Sequence, residues 1–406
     1  RRSNWYPSPP DDDYFQADLR IIVPPGYSCV SNGELIEQSK LNGAERVEEV
    51  DKIGSSVFVY KTKYPLKYIS FIVGDISKVK EDTDSLPLRL YSSSGVYIQK
   101  KGLIEDAKKI VQFYEGKFGP FPYEKLGIVQ RNWSSGGGHS SPSFVVLNEL
   151  PQTVEGGYYV NLRSPVDLSR WKEYFIAHEI AHQWWGQAVT WRTYHDQWLS
   201  EGLAQFASAL YLKESHGEDA YSIILKKFSL WTEKYSKWGP VSLGSRLSFF
   251  NFNAYQSIIY NKASLALNLL KDFLGEDVFF AGLKEFFEKF KYGAAGTQDF
   301  VRTMENVSGK DLTNFFKSWF NSYLLPEIKV DHSVKKGKDG LLLEVRVNQP
   351  KENFVFPLWI DWMENGRRIK KLLIVDGRTE VFEFELKEKP KKVRINPDNA
   401  LPGKFL

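Results

Sequence analysis

Residues 175–186 read FIAHEIAHQWWG, and backbone geometry decides what they mean. On a helix, residues four apart lie on the same face one turn along, so His178 and His182 can turn both imidazoles toward one ion. Two imidazoles and one carboxylate form a ligand set of catalytic zinc, which keeps a fourth position for water. The strongest candidate for the carboxylate is Glu201 in residues 196–206, DQWLSEGLAQF, at the start of a second helical pattern and with eighteen residues between it and His182. Neutral imidazoles and one carboxylate leave the dication a net +1, enough to bring a bound water to a pKa of about 7. Glu179, next to the first histidine, projects toward the open side of such a metal, where it can take the water's proton and hand it to a leaving amine. The oxyanion formed in that attack needs a further donor, and a tyrosine hydroxyl suits because it does not titrate near pH 7.

A bland alternative stands beside this one. Two histidines on an apolar helix can be core residues bonded to backbone, and in a chain with six His an H-E-x-x-H arises by chance on the order of one per cent of the time. The second segment, with a glutamate at a helix start after an aromatic-rich loop, favours the metal. His195 in TYHDQW has no helical partner and reads as a loop residue; His139, His216 and His332 are given no metal role.

Outward from this centre the chain divides by pattern. At 406 residues, two or three domains are expected. Short alternating segments before about residue 90, FQADLRIIVP, SSVFVYKT, YISFIVGDI and LPLRLYS, predict strands. Residues 97–118 carry Ile104, Ala107, Ile110, Val111 and Tyr114 at helical spacing, ended by Gly119-Pro120. Strands LGIVQ and SFVVLNE then flank Gly136, Gly137 and Gly138. From about 167 to 323 the pattern is helical, near 167–186, 198–216, 219–237, 254–274, 277–291, 298–307 and 311–323. After Pro326 the period returns to two, and Phe382, Phe384 and Leu386 face inward while Glu383 and Glu385 face water, as in a β-sandwich. The Lys-rich segment KEKPKK is read as a solvated turn. The expected division is 1–86, 87–325 and 326–406, in an α+β multidomain chain.

Composition narrows the function classes. Hydrophobic residues at 42% and charged residues at 26% are those of a folded globular protein. A net charge of +4, with no long basic run, argues against nucleic acid as a partner. The single Cys29 cannot form an internal disulfide and leaves the compartment open. No apolar run approaches the roughly 20 residues that span a bilayer. Because the chain starts at Arg1 rather than Met, removal of a leader or a larger upstream piece is an expectation.

The two segments HEIAHQWWGQAVTW and DQWLSEGLA resemble the aminopeptidase N type of gluzincin metallopeptidase, the group that includes leukotriene hydrolase. That family reads H-E-x-x-H, eighteen residues, then E within W-L-N-E-G-F-A; here Ser200 and Leu203 replace the Asn and Phe. The stretches NWYPSPPDDDYFQADLRIIVP, SNGEL and FYEGKFGPFPYEKLGIV resemble family segments too, and Tyr260-Asn261-Lys262-Ala263 resembles Y-x-K-G with Ala263 for the Gly. The resemblance implies a thermolysin-like catalytic domain between an N-terminal β domain and a C-terminal β-sandwich. It also implies one zinc on His178, His182 and Glu201, Glu179 as general base, Tyr260 as oxyanion donor, and a peptide or protein substrate. The glycines Gly136, Gly137 and Gly138 are expected to line the cleft and bond a substrate backbone.

Departures from the family shape the expectation. Where it carries G-x-M-E-N, whose Glu holds the substrate's free α-amine, this chain reads Gly137-Gly138-His139-Ser140-Ser141, and a neutral hydroxyl cannot supply a charge-assisted contact. Ser208 stands where a glutamate often follows the third ligand. The chain also begins within the family's first β domain and stops after the sandwich, from which a more open cleft is expected. Endopeptidase or atypical aminopeptidase action follows, with a catalytically degenerate binding module or scaffold as the alternative from another class. Trp133, Phe144 and Tyr255 are aromatic candidates for the specificity pocket, each more commonly a core residue. Oligomeric state, compartment and side-chain preference are not legible.

Overall fold

The computed structural model describes residues 6, 13–41, 54–93, 102–131, 138–148, 164–166, 171, 173–337 and 340–406. The chain is an α+β protein with two compact units, one of Arg1–Tyr158, Leu168–Trp191 and Phe287–Ala295, the other of Tyr159–Asp167, Arg192–Phe286 and Gly296–Leu406.

In the first unit, Asp18–Val23, Ser56–Lys61 and Glu34–Lys40 form an antiparallel sheet with Ser56–Lys61 in the middle. Central Val57, Phe58 and Tyr60 are buried, as the alternation requires. A five-stranded mixed sheet runs Ile76–Asp82, Leu88–Ser93, Leu126–Arg131, Phe144–Asn148, Gly138–Ser141. Its three inner strands are parallel neighbours, which demands a crossover. Helix α1 (Leu103–Phe118) supplies it and buries the residues whose spacing predicts it, Ile104, Ala107, Ile110, Val111 and Tyr114. Gly119, at φ 106, ends the helix in a conformation that disfavours L side chains. Tyr114 donates to the Ala177 carbonyl at 3.0 Å, tying α1 to helix α2 (Glu173–Ala181). Trp184 and Trp185, fully buried beyond that helix, pack edge-on against Phe118. The histidine-bearing helix is therefore fixed at its C-terminal end by aromatic packing.

In the second unit, helix α3 (Trp198–Tyr235) is broken at Gly217, φ 84, where the sequence pattern also parts 198–216 from 219–237. Further helices cover Ala263–Leu274, Glu276–Phe290, Thr297–Ser308 and Thr313–Trp319. The C-terminal strands make two sheets, ordered Thr379–Leu386, Leu341–Asn348, Glu327–Lys336, Lys404–Phe405 and Arg367–Val375, Phe356–Glu364, Lys391–Ile395. Trp362 of one meets Phe384 of the other with ring centroids 5.6 Å apart, and Glu383 and Glu385 point to solvent as expected. Strands Ser28–Ser31, Glu34–Lys40 and Glu327–Lys336 escape the sequence reading. Glu34–Lys40 buries almost nothing, so it has no apolar face to alternate.

Lys125 is the most confined cation described in the first unit. It is 2% exposed, donates to the Ser31 carbonyl at 2.9 Å, and lies 4.9 Å from the Tyr60 ring centre. Burial pushes its ammonium down to about 7 despite the favourable ring contact. The unfolded chain holds that proton up to a pH of about 10.4, so between roughly pH 7 and 10 the unfolded state binds more protons and stability rises with pH. The Lys125→Met variant is expected to flatten this rise, by up to about 1.4 kcal/mol per pH unit, in denaturant titrations at pH 7 and 9.5. An unchanged slope would show that Lys125 is charged in the fold.

Candidate metal centre

Helix α2 carries His178 and Glu179, and the backbone turn continues to His182, whose N–H donates to the His178 carbonyl at 3.3 Å. The two imidazoles stand nearly perpendicular, with ring centroids 4.7 Å apart. Nδ1 of His182 lies 2.9 Å from the Trp185 carbonyl oxygen. A carbonyl only accepts, so Nδ1 carries the proton and Nε2 presents its lone pair, the tautomer a metal requires.

Glu201 lies in the first turn of α3. That end is pinned by Trp198, whose indole N–H donates to Thr297 at 2.9 Å and whose rings pack on Phe300, Phe316 and Phe320. One ligand atom each from His178, His182 and Glu201 all lie within 4.8 Å of one another, the only such group of three or more His, Cys, Asp or Glu among the described residues. The donor set fits a zinc ion by its chemistry: borderline nitrogen ligands and one hard oxygen, three in number.

Gly202, next in sequence, explains how Tyr260 reaches this carboxylate. A Cβ there would lie 2.7 Å from the Ala263 Cβ and 3.2 Å from the Ile259 carbonyl, so only glycine admits the neighbouring helix so closely. That helix is wound as a π-helix over Gln256–Lys262, a form often found at functional sites. The Tyr260 hydroxyl bonds to both Glu201 and Tyr255, and burial, followed by the negative charge of Glu201, holds its pKa well above the ordinary tyrosine value. It stays a donor at neutral pH. Tyr255, an aromatic pocket candidate in the sequence, is hydrogen-bonded to Tyr260 and Gln197, whereas Phe144 is core. Trp133, Gly136 and Gly137 fall outside the described residues.

Gly138 opens the edge strand Gly138–Ser141, and its environment accounts for the residue type. A Cβ on it would stand 2.5 Å from Cγ and Oε1 of Glu179, so the carboxylate lies directly over the strand backbone. Two residues on, Ser140 is buried and accepts from Gln183 Nε2 at 2.7 Å, while its carbonyl accepts from Gln187 at 2.9 Å and Tyr68 at 3.2 Å. Gln183 also donates to the Ser141 carbonyl at 2.9 Å and accepts from the Ser143 N–H at 2.9 Å. This clamp between strand and helix is absent from the sequence-based candidates. Its signal was the four-residue step from Glu179 to Gln183, which puts both on the strand-facing side. Ser208 is buried and bonds back to the Ala204 carbonyl at 2.6 Å. His195 is exposed, with Nδ1 2.5 Å from the Ser242 carbonyl, and lies in a short 3-10 turn, Tyr194–Asp196, rather than in the loop expected from the sequence.

Comparison with known proteins is consistent with this layout. The peptidase family M1 domain matches residues 103–319. Aminopeptidase 2 of Candida albicans is 24% identical over 380 residues, 90% of this chain and 39% of that protein. Probable aminopeptidase 1 of Sulfurisphaera tokodaii is 24% identical over 93% of this chain and 46% of its own length. Tricorn protease-interacting factor F2 of Thermoplasma volcanium is 26% identical over 79% of this chain and 39% of its own. The crystal structure of Legionella pneumophila aminopeptidase A in complex with aspartic acid superposes with a TM-score of 0.74 at 20% identity, covering 98% of this chain and 45% of that one, and so shares the fold. The chain thus spans about two fifths of the length of the first curated relatives it matches. Matched across more than half its length, the chain belongs to peptidase family M1.

Proposed function

We propose that this chain is a zinc-dependent metallopeptidase in which His178, His182 and Glu201 hold one zinc and Glu179 and Tyr260 do the proton and oxyanion work. The observation that carries the proposal is the gathering of the three ligand atoms within 4.8 Å, in a chain of a peptidase family. Zinc at that set would acidify a water to a pKa of about 7 and polarise a peptide carbonyl.

The chain's own residues supply the rest. Glu179, held over Gly138, accepts the proton of the attacking water and returns it to the departing amine. Tyr260, kept protonated by burial, donates its O–H to the oxyanion. The outer edge of Gly138–Ser141 offers backbone groups to an extended peptide, as added strands use. We also assign Gly136 and Gly137 to substrate binding, and propose a three-part organisation of 1–86, 87–325 and 326–406, supported by the β-rich ends and helix-rich middle.

Ser140 bears on which peptides are cut. Its hydroxyl is turned to Gln183 and buried, so it leaves no charged anchor for a free α-amine at that position. We therefore favour a peptidase that does not depend on a free amino terminus. The relatives named aminopeptidases favour the other outcome, stepwise removal from that end.

Three results are expected. Glu179→Gln keeps one zinc per chain by elemental analysis while peptide turnover falls by about two to four orders of magnitude; near-normal turnover would remove Glu179 as base, and a protein that binds zinc yet hydrolyses nothing would be a scaffold. Tyr260→Phe lowers kcat on the order of a hundredfold with KM little changed, and a raised KM with kcat unchanged would assign it to substrate binding instead. Mass-spectrometric mapping of cuts in matched N-acetylated and free peptides should show comparable cleavage of both, whereas stepwise release confined to free amino termini would establish an aminopeptidase.

A further inference from the structure

Two clusters of apolar side chains form in the first unit without merging. Cys29, Phe58 and Tyr60 pack with Val23 in one, and Ile76 and Tyr91 pack with Val30, Val129, Phe144 and Val146 in the other. A cavity of about 440 Å³ lies at their seam, taking Cys29, Phe58 and Tyr60 from the first cluster and Ile76 and Tyr91 from the second. A space of that size, with largely apolar walls and a few polar groups, has the character of a small-ligand site.

Strand Leu88–Ser93 brings two donors to it. Successive side chains alternate across a strand, so buried Leu88 and Leu90 take one face while Arg89 and Tyr91 share the other and line the cavity. Arg89 donates from Nε to Glu81 at 2.5 Å, and its Nη2 lies 3.8 Å from Glu34 Oε1. Its Nη1 is buried and bonds to nothing among the described residues. Tyr91 is 8% exposed, and its hydroxyl has no hydrogen-bond partner among the described residues either. Burial raises the pKa of that phenol, with the nearby Arg89 charge acting against the rise, so it stays an O–H donor at neutral pH. A buried donor without an acceptor costs its full desolvation, and two side by side suit a ligand that brings acceptors.

Charge at the walls selects the kind of acceptor. The charged lining residues are Arg89 and Lys78 against Glu81 alone, and Glu81 is already claimed by both, at 2.5 Å from Lys78 Nζ and 2.5 Å from Arg89 Nε. One positive charge is left over, which an anionic head would offset and a neutral one would not. The backbone is also irregular here, since pairing with Leu88–Ser93 shifts register between Lys78 and Lys80, opposite Tyr91 and Leu90. Bulges of this kind re-aim side chains beside binding sites.

The geometry points to this cavity as a binding site for a small amphipathic carboxylate, with its oxygens on Arg89 Nη1 and the Tyr91 hydroxyl and its apolar body against Phe58 and Ile76. None of these residues belongs to the candidate metal centre, so the site stands or falls apart from the peptidase function. Isothermal titration calorimetry of the zinc-loaded full chain with phenylbutyrate and with its neutral amide, phenylbutyramide, tests it. The carboxylate should bind at one site per chain, about tenfold more tightly than the amide. Arg89→Gln should erase that preference and Tyr91→Phe should reduce it. Ser77→Trp, at an exposed strand position on the cavity wall, should block both compounds while leaving the unfolding midpoint unchanged, so the site is tested even if the arginine change disturbs the fold. Equal affinities for carboxylate and amide would overturn the assignment, as would no binding at millimolar concentration. Phenylbutyrate binding that survives Ser77→Trp and is lost when zinc is removed would overturn it too, because the carboxylate would then sit on the metal.

Discussion

Two imidazoles one helical turn apart can face a single point, but a carboxylate that joins them has to come from another part of the chain. Ligand atoms of His178, His182 and Glu201 meet in this way, within 4.8 Å of one another. Two helix ends have to be positioned to within a fraction of an ångström, and each is fixed by large buried side chains rather than by its own short run of backbone bonds. Trp184 and Trp185 pack against Phe118 at one end, and Trp198 is wedged among Phe300, Phe316 and Phe320 at the other. Rigid aromatic packing suits this task because protein interiors resist small displacements.

Close backbone approach is the second requirement. Gly138 lets Glu179 lie over the edge strand, and Gly202 lets the π-helical segment come close enough for Tyr260 to reach Glu201. A methyl group at Gly138 would collide with the Glu179 carboxylate itself, and one at Gly202 with Ala263 and the Ile259 carbonyl of the segment that carries Tyr260. The positions of the Glu179 carboxylate and the Tyr260 hydroxyl thus depend on what is missing at two glycines as much as on the acid and the phenol themselves.

The neighbourhood of Ser140 shows how an edge strand's polar groups are satisfied. Its hydroxyl and carbonyl are absorbed into a buried network with Gln183 and Gln187, just beyond helix α2, and with Tyr68. Buried polar groups persist when their partners are present, and this network gives Ser140 a structural reason for being polar.

Much of this was legible in the amino-acid order because it is local. The four-residue step between His178 and His182 and the helical spacing of Ile104, Ala107, Ile110, Val111 and Tyr114 each follow from one element's own period, as does the alternation of Phe382, Phe384 and Leu386. A glutamate opening the next helical pattern pointed to Glu201, and resemblance of motifs singled out Tyr260. What only the tertiary structure decided are the meetings between distant segments: Gly138 beneath Glu179, Gln183 against Ser140, Gly202 against Ile259 and Ala263, and Tyr255 beside Tyr260. Strands with little buried face, such as Glu34–Lys40, were likewise invisible until their partners were known. Periodicity reports which side of an element is apolar, but contact across the fold depends on distances that no single element encodes.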